Sequence, residues 1–97
     1  MDEKLLDRVL ALVRVEVLEA EQRYGRIRGA HEGVSIIREE FEEFWDEVKK
    51  KPPCPDGAAF VGELKQVAAM AICTMIDVGT GKAHLNKALA NALKGID

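Results

Sequence analysis

The stretch Ala58-Ala-Phe-Val-Gly-Glu-Leu-Lys-Gln-Val-Ala-Ala-Met-Ala-Ile-Cys-Thr-Met-Ile-Asp-Val78 decides the fold. It holds no proline. Phe60, Leu64, Val67, Ala71 and Met75 recur at helical spacing, and Val61, Ala68, Ala69, Ile72 and Ile76 fill the other faces. A helix that is apolar nearly all round is a buried one. In a chain of 97 residues, that means the centre of a bundle or a subunit interface. Between Gly57 and Met75 the one acidic residue is Glu63, and a charge among apolar neighbours needs a partner.

Working outward, Lys51-Pro-Pro-Cys-Pro-Asp-Gly57 breaks the chain before this helix, because three prolines cannot continue one, and Asp56 is placed to cap the next. Upstream, Val34, Ile37, Phe41, Phe44 and Val48 predict a helix over 30–50, closed by Lys49, Lys50 and Lys51 as the helix dipole favours. Before it, Leu6, Val9, Val13, Val17 and Ala20 predict a helix over 2–24, and the glycines of Gly25-Arg-Ile-Arg-Gly29 mark the connection. Downstream, Gly79-Thr-Gly81 stops the central helix. A last helix over 82–94 carries Leu85, Ala88, Leu89, Ala92 and Leu93 and ends at Gly95. No segment reads as a strand. The expectation is one all-α domain over 1–97, an antiparallel four-helix bundle in outline.

Composition narrows the function classes. Nearly half the residues are apolar and a third are charged, which is globular and not disordered. A net charge of -3 argues against a general nucleic-acid binder, though a cation can bridge acidic residues to a phosphate ligand. Cys54 and Cys73 make no disulfide framework and read as free thiols in a reducing compartment. The first residues carry no apolar leader, and no apolar run reaches membrane-spanning length on this reading. These features predict a cytoplasmic protein with no membrane partner. The apolar third helix predicts a homo-oligomer, dimer or tetramer, that buries part of that helix or the last one.

The chemistry concentrates in Glu39-Glu40-Phe41-Glu42-Glu43. Glu40 and Glu43 lie three apart, so they project about one turn apart from one face, beside the apolar seam and near Ile36. Glu47 continues the stripe. On the next helix Glu63 and Gln66 repeat the layout beside Phe60, Leu64 and Val67. If the two seams pack together, four oxygen-bearing side chains converge, and a hard divalent cation, Mg2+ or Mn2+, removes the repulsion among them. An acidic stripe alone is usually a solvated face, and Glu63 has a structural alternative in pairing with Lys65 or with another helix.

The pattern EExxE followed on the next helix by ExxD is the signature of the MazG-like, all-alpha nucleoside triphosphate pyrophosphohydrolases. This chain resembles them in Glu39-Glu40-Phe41-Glu42-Glu43 and Glu63-Leu64-Lys65-Gln66, and its flanking phrases, His31 to Val48 and Glu63 to Ala71, are similar to the phage and bacterial branch. The resemblance covers about residues 15 to 78 and leaves the helix over 82–94 outside it. It implies a MazG-like helical, oligomeric enzyme that cleaves a nucleoside triphosphate to the monophosphate and pyrophosphate. It implies Glu39, Glu40, Glu43 and Glu63 as the catalytic set. It also implies Mg2+ held by Glu40, Glu43, Glu63 and Gln66, with a spare glutamate as general base. One position departs: Gln66 stands where the family has Asp. An amide oxygen brings no charge, so the resemblance implies either a weakened enzyme or a non-catalytic module that binds nucleotide or protein.

Other residues carry weaker expectations. His31, Lys49 and Asp77 are candidates to touch substrate, although His31 also reads as a helix-start residue and Lys49 as a dipole partner. Asp77 lies roughly 16 Å along the helix from Gln66, too far to share one ion with it. Trp45 reads as packing more than base stacking, Met70, Met75 and Cys73 as core, and His84 as solvent-facing. Gly79-Thr-Gly-Lys82 lacks the spacing of a phosphate loop.

Overall fold

The computed structural model describes residues 1–50, 57–79 and 82–94, apart from the side chains of 82–85. They form four helices, α1 (Glu3–Tyr24), α2 (Ala30–Lys49), α3 (Gly57–Asp77) and α4 (Lys82–Leu93), and no strand occurs among the described residues. Each helix boundary falls within a residue of the sequence expectation. The proline linker with Cys54 and the proposed Asp56 cap, Gly81, the stop at Gly95, and the side chains of His84 and Leu85 lie outside the described residues.

Local chemistry sets the ends. Asp2 caps α1 by accepting from the Leu5 backbone N–H at 3.1 Å. Gly25 ends that helix at φ 72, a backbone region that glycine enters without strain. The connection then turns back onto α3: Asp77 Oδ2 accepts from the Ile27 N–H at 2.9 Å, and the Arg26 guanidinium donates to the Asp77 carbonyl at 3.4 Å. Glu32, in the first turn of α2, accepts from Arg28 through both its backbone and its side chain.

Helix α3 is the spine. It packs along α2 on one side and along α1 on the other, the backbones of α1 and α2 do not come together, and α4 touches α3 alone and lightly. Gly33 meets Thr74 while Phe44 meets Phe60 edge-on at 5.2 Å, so α2 runs antiparallel to α3. Glu16 meets Lys65 while Ile27 meets Asp77, so α1 runs parallel to it. The core lies where the three helices converge, in Val13, Ala20, Ile27, Ala69, Met70 and Cys73, with Val17, Ile36, Ile37 and Ile72 packed around it.

The apolar seams need correcting in their rotation. The packed face of α2 runs through Gly33, Ile36, Ile37, Glu40, Phe44 and Glu47, while Val34 and Phe41 are exposed. The seam read from sequence was turned by roughly 60° from the true one, because it followed the largest apolar side chains. The α2 helix instead turns its glycine and Glu40 inward, since a glycine is what permits close approach to α3. On α3, Leu64 and Met75 are exposed, against the expectation that both are core, and Val61 and Ile76 are exposed beside them. Two flanking helices cover two faces of α3 and leave the rest. The reading that no apolar run reaches membrane-spanning length also fails: α3 is long and apolar enough by length and composition. Of its residues only Ala69, Met70 and Cys73 are buried, although α1 and α2 pack along two of its sides.

A Cβ on Gly33 would lie 2.7 Å from Thr74 Cγ2 and 3.1 Å from Thr74 Oγ1. We expect Gly33→Val to lower unfolding stability by about 1–3 kcal/mol through overpacking. Gly33→Ala should cost stability in the parent but become neutral or stabilising in a Thr74→Ala background, where the helix propensity gain of about 1 kcal/mol is free to act. Urea midpoints of the four proteins in this cycle check it. Simple additivity would show that the two helices do not depend on this contact.

Candidate metal centre

The antiparallel register of α2 on α3 brings three carboxylates into one place. Glu40 and Glu43 come from α2 and Glu63 from α3, and one oxygen of each lies within 4.8 Å of the other two. Glu40 and Glu63 are partly buried and Glu43 is exposed, so the cluster sits at the edge of the helix interface and opens to solvent. Glu40 Oε2 is buried and has no hydrogen-bond partner among the described residues. Burial pushes the Glu40 carboxyl up from 4.5 to about 7, and the neighbouring charge of Glu43, a hydrogen bond to Glu43, and the charges of Glu63 and Glu39 push it the same way.

Lys65 does not neutralise Glu63. It turns to the other side of α3 and pairs with Glu16 of α1 at 3.6 Å. Residues two apart on a helix point roughly 200° from each other, so one stretch of α3 presents an acid to α2 and a base to α1. Glu16 is the one buried charged residue among those described. Sequence reading passed over it, although its place in the register of Val13, Val17 and Ala20 marks it as inward.

A cavity of about 320 Å³ adjoins the cluster. Val17, Ala20, Ile36, Met70 and Cys73 give it an apolar floor. Glu39, Glu40 and Gln66 stand at the end nearest the cluster, and Arg23, Tyr24, Arg26 and Asp77 at the end formed by the connection. Gln66 and Glu40 both line this cavity. Glu39 is exposed at the rim. Asp77 lines the same cavity, with its carboxylate engaged by the Ile27 N–H. The Cys73 thiol is held above its usual range by burial and by the charge of Asp77, which keeps it protonated.

Three candidates lie elsewhere. His31 is exposed in the first turn of α2 and is absent from the cavity wall. Lys49 is near the far end of α2, roughly 13 Å along the axis from Glu40, where it pairs with Asp46 at 3.2 Å and lies over the exposed Trp45 ring. Glu47 pairs with Lys50 at 2.7 Å and takes no part in the cluster.

No protein-family model, curated protein or solved structure matches the chain.

The Glu40 shift has a consequence for stability. Its native pKa lies above the unfolded value, so between about pH 4.5 and 7 the native state holds the extra proton and stability falls as pH rises. We expect Glu40→Gln to raise the stability of the metal-free protein at neutral pH by roughly 1–2 kcal/mol, after discounting for partial exposure. The same variant should flatten the dependence between pH 4.5 and 7. Thermal melts across that range check both. A variant less stable than the parent at pH 7.5 would mean that Glu40 is held by favourable contacts instead.

Proposed function

We propose that the protein is a Mg2+-dependent nucleotide pyrophosphohydrolase of MazG-like type, cleaving a nucleoside triphosphate to the monophosphate and pyrophosphate in the cytoplasm. The observation that carries this reading is the convergence of Glu40, Glu43 and Glu63 from adjacent helices, with one oxygen of Glu40 buried and unpartnered among the described residues. The resemblance in EExxE and ExxQ points the same way. The donors are all oxygen, which suits Mg2+ or Mn2+. The MazG-like, antiparallel four-helix bundle belongs to this proposal too, as does action as a homo-oligomer.

Glu40, Glu43 and Glu63 are the residues that would hold the cation, with Gln66 as a neutral fourth donor. A divalent cation there supplies neutralisation of phosphate charge and makes nearby water more acidic. The chain's own groups do the rest. The apolar floor takes the base and sugar, since ligand cavities of roughly 300–1,000 Å³ are lined mainly by such side chains. That places the phosphates at the Glu39, Glu40 and Gln66 end. Glu39, exposed at the rim and close enough to Glu40 to raise its pKa, is the general base of this reading, accepting a proton from water.

Gln66 favours a second reading, a helical module that binds nucleotide without cleaving it, because the site has one charge fewer than the family pattern. Calorimetric titration of a nucleotide panel with and without Mg2+, followed by pyrophosphate release, separates the two. Metal-dependent binding with release supports the enzyme. Metal-dependent binding without release supports the module, and metal-independent or absent binding removes both. We expect Glu63→Gln to abolish metal-dependent nucleotide binding with the helices intact by circular dichroism, and Gln66→Asp to tighten Mg2+ binding and increase any pyrophosphate release. If neither variant moves either quantity, the cluster is structural.

A further inference from the structure

We propose that Asp77 is a positioning residue of the cavity, pinning the α1–α2 connection as the wall of the end away from the acidic cluster. Asp77 is the last residue of α3, whose last turn holds no basic side chain. A carboxylate there faces the negative end of the helix dipole, which disfavours it. An acid that its own helix disfavours has its reason in another element.

That element is the connection. Within residues 25–29, Ile27 alone is buried, at 6 % exposed. Its N–H donates to Asp77 Oδ2 at 2.9 Å, and the Arg26 guanidinium donates to the Asp77 carbonyl at 3.4 Å. On either side the chain is tied only to its own neighbourhood. Gly25 turns it out of α1 at φ 72, and Arg28 pairs with Glu32 in the first turn of α2. The Asp77 contacts and the Ile27 side chain are therefore what hold the connection on α3.

This tie shapes the cavity. Tyr24, Gly25, Arg26 and Ile27 line it at that end, and Cys73, one turn before Asp77, lies on its floor. The charge of Asp77 helps to push the Cys73 thiol up, so acid, thiol and connection are neighbours. Freeing the Ile27 N–H lets the connection leave α3 and opens the floor to solvent. Gln66, at the acidic end, stands roughly 16 Å along α3 from Asp77. The tie thus acts on the base and sugar of a ligand and not on its cation, and in that respect the inference rests on the proposed nucleotide reading. Asp77 itself, its carboxylate engaged by Ile27, works through the connection.

Cys73 supplies the test. In a Cys54→Ser background it is the single thiol, and its labelling by an aromatic disulfide reagent reports opening of the floor. Asp77→Ala should speed labelling by roughly ten- to a hundredfold, the range for losing a hydrogen bond to a charged acceptor. The rate should stay flat in low urea, as local opening exposes little surface. Asp77→Asn keeps an oxygen acceptor and should restore most of the protection. An unchanged rate in the alanine variant overturns the proposal. So does a rise that climbs steeply with urea, which is global unfolding, or an equal rise in the asparagine variant, which is the lost charge acting on the thiol. Titration of the same proteins with Mg2+, with Mg2+ and pyrophosphate, and with Mg2+ and the common nucleoside triphosphates tests the positioning role. Asp77→Ala should weaken nucleotide binding alone, and unchanged nucleotide affinity beside faster labelling overturns that role. A parent that binds no nucleotide removes the nucleotide reading, and the labelling then decides the tie by itself.

Discussion

The approach of α2 to α3 at Gly33 and Thr74 governs the rest of the structure. A glycine lets the two backbones come close, and the Thr74 hydroxyl is turned onto its own helix, donating to the Met70 carbonyl at 2.8 Å. Once that contact is made, the fixed rise of an α-helix matches every later residue of α2 to one earlier on α3. Phe44 falls on Phe60, and Glu40 falls beside Glu63. The helix positions that carry the carboxylates cannot separate without losing the aromatic contact and the glycine approach together. The register therefore keeps the three acids near one another, and in the metal-free protein a proton on Glu40 relieves part of their repulsion.

That repulsion bears on Gln66. A carboxylate at this position would add a fourth negative charge at the cavity end where Glu40 already sits. The metal-free protein would be less stable and its attraction for a divalent cation greater. The amide moves both quantities the other way: it keeps an oxygen donor and removes a charge. Stability without metal and affinity for metal are thus opposed at this one residue. A small chain with a thin core has reason to sit toward the stable side.

The helices were legible because their punctuation is local. Gly25, Gly79 and the capping Asp2 act through backbone geometry within a few residues, and such signals survive without knowledge of the fold. The faces were less legible. Hydrophobic periodicity weights Phe41 and Val34 heavily, yet close packing in α2 is decided by Gly33, which periodicity ignores. The acidic cluster was legible as a convergence because the spacing of Glu40, Glu43 and Glu63 is a one-dimensional fact. The depth of Glu40 was not, because it depends on the rotation of α2. Glu16 was overlooked for a related reason: an acid in an amphipathic helix reads as solvated until a specific base, here Lys65 on a different helix, is placed opposite it.

Two neighbouring charges on α3 divide its two packed sides between different tasks. Glu63 and Lys65 send one charge to each neighbour, so the α2 side of the spine carries the acidic cluster and the α1 side carries a structural ion pair. The cavity takes residues of α1 only from Val17 onward, while Leu6, Val9 and Leu10, before Val13, are exposed. No large side chain among those described is fully buried, and a single small core supplies little stability by itself.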